Sequence, residues 1–115
     1  MNYGLPDAAI RKIRAVLARY PQVERAILYG SRAKGSYKNG SDIDLTLCGG
    51  TALTRIELRK MGDEFDDLLL PYTIDLSLFA EIRDPDLIGH IQRAGVVFYS
   101  RDGARPQRVV PMIAL

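Results

Sequence analysis

Three aspartates and a glycine–serine pair are the residues of this chain whose types and spacing suit chemistry. Asp42-Ile43-Asp44 opens the segment Asp42 to Leu47, in which polar and apolar residues alternate as on a half-buried strand. Residues two apart on a strand share a face and lie about 6 to 7 Å apart along it, so both carboxylates face one place. Two anions at that spacing repel by about 2 to 3 kcal/mol at an effective dielectric of about 20, less in salt. A bound cation removes that penalty. Taken alone, the pair also fits a solvated strand end with two ordinary surface aspartates. Asp75 narrows the choice because it interrupts Thr73-Ile74-Asp75-Leu76, where an unpaired buried carboxylate is expensive. It needs a partner or an exit. If the two strands are neighbours in register, Asp42, Asp44 and Asp75 offer three oxygen ligands suited to Mg²⁺, with Mn²⁺ also able to serve. Two such ions fit phosphoryl chemistry, one activating the attacking oxygen and the other stabilising the leaving oxygen, with Asp75 as ligand or general base.

Gly30-Ser31 lies where the sequence turns from a strand into a short helix, so backbone N–H groups and the Ser31 hydroxyl can face an anion there. A tight turn with Ser31 as helix N-cap explains the same pair. Gly30 to Ser36 approaches a phosphate-binding P-loop, but Ser36 stands where that motif needs lysine, which excludes it. Arg32, Lys34 and Lys38 can add positive charge at this turn or form an ordinary solvated basic loop.

The elements that must position these residues follow from periodicity and punctuation. Ile10, Ile13, Val16, Leu17 and Tyr20 recur at helical spacing between Pro6 and Pro21. Val23 to Tyr29 reads as a buried strand, and Arg32 to Tyr37 as about two helical turns. A second strand starts at Asp42. Leu53, Ile56, Met61, Phe65, Leu68 and Leu69 mark one face of a long helix ended by Pro71. Tyr72 to Phe79 reads as a third strand. Asp84-Pro85 has the form of an N-cap with proline at the first helical position, and Gly95 to Tyr99 reads as a fourth strand. The alternation implies an α/β (α+β) domain, a small sheet of three to five strands covered by helices. It occupies residues 1–100; residues 101–115 form a basic, then apolar, C-terminal tail, flexible or docking on a partner.

Composition bounds the function. A chain of 115 residues and 12.8 kDa holds one core and no second domain. Residues 1–100 carry 13 Lys or Arg and 13 Asp or Glu, so the net charge of +2 comes from the last fifteen residues. A neutral body lacks the broad basic footprint that nucleic-acid binding rests on. Cys48 is the one cysteine, which excludes an intrachain disulfide and a cysteine-based zinc site. Neither a signal-peptide core nor a membrane-spanning run is legible, and the protein reads as cytoplasmic with no membrane partner. His90 beside Ile91 reads as a structural or surface residue, and Cys48 as a small strand residue. Asp63-Glu64 and Asp66-Asp67 read as a solvated acidic face.

In combination, Leu28-Tyr29-Gly30-Ser31, ten residues, Asp42-Ile43-Asp44 and then Ile74-Asp75-Leu76 resemble the minimal nucleotidyltransferase (MNT) family of the DNA polymerase beta-like superfamily. The resemblance covers about residues 5 to 100. It implies the polymerase beta-like fold with a mixed sheet. It also implies a triphosphate-holding turn at Gly30 and Ser31, paired metal ligands at Asp42 and Asp44, and a third carboxylate at Asp75. The implied reaction moves AMP from ATP to a hydroxyl, with Mg²⁺ as cofactor and pyrophosphate leaving. Chains of this minimal type resemble antitoxins that add AMP to a tyrosine of a HEPN-domain ribonuclease, usually encoded next door, which implies a hetero-oligomer. Two alternatives stand beside this: the catalytic subunit of a two-component enzyme acting on a small molecule such as an aminoglycoside, and a non-catalytic module that neutralises a toxin by contact.

Overall fold

In a computed structural model that describes residues 2–103, the chain forms four helices, four strands and one 3₁₀ turn. They are α1 (Asp7–Ala18), β1 (Val23–Tyr29), α2 (Ser31–Lys34), β2 (Ile43–Gly49), α3 (Arg55–Asp67), β3 (Ile74–Leu78), the 3₁₀ turn Phe79–Glu81, α4 (Pro85–Ala94) and β4 (Val96–Ser100). The strands make one sheet in the order β3-β2-β1-β4. β1 pairs antiparallel with both β2 and β4, whereas β2 and β3 run parallel. Parallel neighbours need a crossover, and α3 supplies it. The sheet is therefore mixed, as expected. The C-terminal tail lies outside the described residues beyond Gly103.

Local chemistry explains the boundaries. Thr54 and Glu57 form a reciprocal capping box at the start of α3. Asp84 accepts from the Asp86 N–H at 2.9 Å, with Pro85 opening α4. α2 is a single turn, shorter than the two expected, because Gly35 adopts a left-handed φ of 83° and stops it. β2 begins at Ile43, one residue after the first aspartate, where the Ile43 N–H bonds the Thr73 carbonyl at 2.9 Å. β3 is shorter than expected, since Phe79 already belongs to the 3₁₀ turn. α3 stops at Asp67. Leu69 is 88% exposed at a φ of 54°, and Ile56 is also exposed, so neither joins the buried face predicted for them.

Alternation along the strands divides the sheet into two unlike faces. Ala26 and Leu28 of β1 and Ile43, Leu45 and Leu47 of β2 are fully or almost fully buried against Ile13, Val16 and Leu17 of α1 and Met61 and Phe65 of α3. The opposite face takes Ile27 of β1 against Ile91 of α4, with Cys48, Phe79, Ile82 and Leu87 around them. No helix among the described residues is long and apolar enough to cross a membrane.

Candidate active site

The parallel β2–β3 register sets Asp44 beside Asp75 and Thr46 beside Ser77. Partners across a ladder point to the same face. The Ser77 hydroxyl donates to Thr46 Oγ1 at 2.9 Å, which holds the two strands together one step deeper into the sheet. β3 is the edge strand and Asp75 is exposed. The exit that an aspartate in this apolar strand required is thus the open side of the sheet. Asp44 is half-buried, and Asp42 stands exposed in the loop just before β2.

Burial raises the Asp44 carboxyl above the ordinary carboxylate range, and the charges of Asp75 and then Asp42 raise it further. Each of these carboxylates therefore acts electrostatically on Asp44. Hard oxygen donors under mutual repulsion suit a divalent cation by type and by charge. Among the described residues no group of three or more His, Cys, Asp or Glu side chains is arranged to hold a metal ion. The fit to Mg²⁺ or Mn²⁺ rests on the donors and their repulsion.

Gly30 backs onto this centre. Its φ of 77° and ψ of −156° belong to a region that is essentially glycine's alone. A Cβ placed there would lie 2.4 Å from Asp44 Oδ2. Glycine is thus demanded twice, by its backbone and by the carboxylate in front of it. Gly30 itself takes the N-cap position of α2, with no side-chain capping bond, so the simple alternative of Ser31 as N-cap is not what the turn uses.

Arg32 differs from both of its sequence readings, charge at the turn or a solvated basic loop: it is 3% exposed, and its guanidinium donates to the Ser41 carbonyl at 3.0 Å and the Tyr3 carbonyl at 2.9 Å. It also lies over the Tyr37 and Tyr72 rings, at 5.4 and 5.0 Å from their centroids. Its charge is engaged by the scaffold, while Lys34 and Lys38 stay exposed. His90, expected to be a structural or surface residue, reaches the turn, where the Gly30 N–H donates to its Nε2 at 3.2 Å. Nothing in the sequence marks this contact, because it depends on how α4 docks.

The remaining candidates behave as the sequence suggests or find partners. Burial pushes the Cys48 thiol up to about 11, which removes it as a nucleophile. Glu64 of the acidic patch bonds Arg19 and the Tyr20 hydroxyl, joining α3 to the end of α1. A largely apolar groove of about 960 Å³, lined by residues such as Cys48, Leu53, Ile56 and Phe79, includes none of Gly30, Ser31, Asp42, Asp44 or Asp75.

The order of these features along the chain matches, over residues 11–104, the sequence pattern of the family described as Polymerase beta, Nucleotidyltransferase. The chain belongs to the polymerase beta nucleotidyltransferase family. It is a nucleotidyltransferase with that family's mixed sheet and flanking helices. Its fold is similar to that of a chain in a toxin–antitoxin crystal structure with AMP-PNP, at 21% identity and a TM-score of 0.64 over 79% of this chain and 73% of the other. It is also similar to a chain of the tri-AMPylated Shewanella oneidensis HEPN toxin in complex with MNT antitoxin, at 18% identity and a TM-score of 0.60 over 81% and 71%. A chain of an MntA–HepT toxin–antitoxin structure matches at 18% identity and a TM-score of 0.61 over 83% and 73%. No curated protein matches the chain.

Proposed function

We propose that this nucleotidyltransferase moves AMP from ATP to a hydroxyl of a partner protein, namely a tyrosine of a HEPN-domain ribonuclease, and thereby acts as its antitoxin in the cytoplasm. The observation that carries the reading is Asp44 and Asp75 side by side on the open face of a polymerase beta nucleotidyltransferase sheet. The fold's similarity to chains from complexes described with AMP-PNP and with an AMPylated HEPN toxin supports ATP and a HEPN partner.

In this reading Asp42, Asp44 and Asp75 hold Mg²⁺, with Mn²⁺ able to replace it. The metal, when bound, neutralises triphosphate charge and lowers the cost of the anionic transition state. Gly30 and Ser31 hold the leaving end of the triphosphate. The partner's hydroxyl oxygen attacks the α-phosphorus, the bond from that phosphorus to the α,β-bridging oxygen breaks, and pyrophosphate departs. Asp75, exposed beside Asp44 on the edge strand, serves in this reading either as metal ligand or as the base that takes the hydroxyl proton. In this reading a second chain supplies the acceptor, as the similarity to chains of toxin–antitoxin complexes supports.

Intact-mass measurement of the adjacent gene's HEPN product, after incubation with this chain, ATP and Mg²⁺, tests the reading. Adenylate-sized increments with the wild type and none with Asp44→Asn are expected. Folded proteins that form a complex yet leave the toxin's mass unchanged would overturn AMP transfer to that partner. Transfer to a free aminoglycoside would then identify a small-molecule enzyme, and neutralisation by Asp44→Asn would identify inhibition by contact.

A further inference from the structure

His90 is the only histidine of the chain, and α4 carries it to the back of the Gly30 turn. Ile91, the next residue, is fully buried against Ile27, which fixes where α4 stands on β1. The His90 ring meets Tyr29 edge-on, with centroids 6.3 Å apart and planes at 76°. Its Nε2 then accepts the Gly30 N–H at 3.2 Å. Gly30 also faces Asp44 Oδ2, close enough that even one added carbon would collide with it. The first residue of the turn thus has an imidazole clamp on its N–H and a carboxylate beside its α-carbon.

Only a neutral ring with its proton on Nδ1 can make this bond, because imidazolium has no acceptor nitrogen. The groups that face His90 favour that state. Lys34 of α2 and Arg93 of α4 are cationic, and Tyr29 of β1 presents a neutral ring. Burial first, and then these two cations, hold the imidazole below its ordinary pKa. Without His90 the amide that begins the turn loses its acceptor, and a half-buried peptide rearranges rather than leave a donor unsatisfied.

We propose that His90 is a positioning residue of the transfer site: by accepting the Gly30 N–H it holds the Gly30-Ser31 turn against Asp44. The proposal rests on the transfer reading above, so its test carries one readout that needs no catalysis. In the metal-free full chain, the Gly30 amide resonance moves with the titration of His90. It shifts in His90→Ala and no longer titrates in His90→Gln, whose side-chain oxygen accepts the same N–H at every pH. In AMP transfer, His90→Ala loses about tenfold in kcat, the scale expected of misplaced reacting groups, with the KM for ATP nearly unchanged. His90→Gln recovers most of that kcat. The wild type loses activity as acidification protonates His90 and then the carboxylates, and His90→Gln keeps only the loss due to the carboxylates.

A Gly30 amide indifferent to pH and to His90→Ala overturns the proposal whatever the activity. So does a folded His90→Ala with wild-type kcat and an unaltered pH profile, or His90→Gln that behaves like His90→Ala. A Gly30 amide that responds as expected in a chain unable to transfer AMP to any acceptor supports the clamp and overturns the transfer reading instead.

Discussion

The two faces of the sheet are built from alternate residues of the same strands and do opposite work. On one face Ile43, Leu45 and Leu47 of β2 vanish under α1 and α3. On the other, Cys48 of that same strand packs beside the Ile27–Ile91 cluster, Thr46 is buried with its hydroxyl bonded to Ser77, and Asp44 stays half-exposed. One residue of slip would exchange the two sets. The difference teaches that the first face supplies the stability against which the second can hold charges that repel one another.

Replacing Asp44 with Asn is expected to have the largest effect, and with opposite signs on the two faces' tasks. Nucleotide transfer should fall by about a thousandfold or more, on the order of 4 kcal/mol of transition-state stabilisation, when product is measured by mass. Stability should rise. The folded-state pKa of Asp44 is raised, so its ionisation opposes folding, and stability is gained as pH falls through that pKa. The gain from Asp44→Asn in thermal melts should therefore be present at neutral pH and vanish below the unfolded value of 3.8. An unchanged melting temperature at pH 7 would break the contrast.

Leu45→Ala, one position along, should do the reverse. It removes fully buried apolar volume and should destabilise by about 3 kcal/mol, read by urea denaturation, while leaving kcat per folded molecule near wild type. Gly30→Ala combines both faults: glycine-only backbone angles cost about 1 to 3 kcal/mol in an alanine, and the new methyl displaces Asp44. Both stability and transfer should fall, whereas a variant that lost only stability would detach the turn from the carboxylate. Thr54→Ala removes the α3 cap, far from the carboxylates, and should cost about 1 kcal/mol of stability with no effect on transfer.

The buried face was legible because it repeats. Period-2 alternation in β2, 3.6-residue spacing in α1 and punctuation at Asp84-Pro85 each state locally what the fold needs. The juxtaposition of Asp44 and Asp75 was legible only as a condition on strand order and register, which pairing across the chain decides. The roles of those residues rest on the proposed chemistry. Arg32 misled because a basic residue beside a turn looks alike whether it faces solvent or lies sandwiched between Tyr37 and Tyr72. His90 gave no signal at all, since its partner is a backbone N–H sixty residues away. Leu69 misled in the other direction, as helical spacing names a face without saying where the helix stops, and Ile56, in the first turn of α3, stays exposed although it lies within the helix.

Arg32 has one further consequence. A four-residue helix is far below the length at which isolated helices persist, and the Arg32 guanidinium ties α2 to the segments around it. Through it, the N-terminal Tyr3, the loop at Ser41 that leads into Asp42, and Tyr72 at the approach to β3 share one anchor. Losing that guanidinium would therefore loosen three segments around the carboxylate site at once, and Arg32→Ala is expected to raise amide exchange at Tyr3, Ser41 and Tyr72 together.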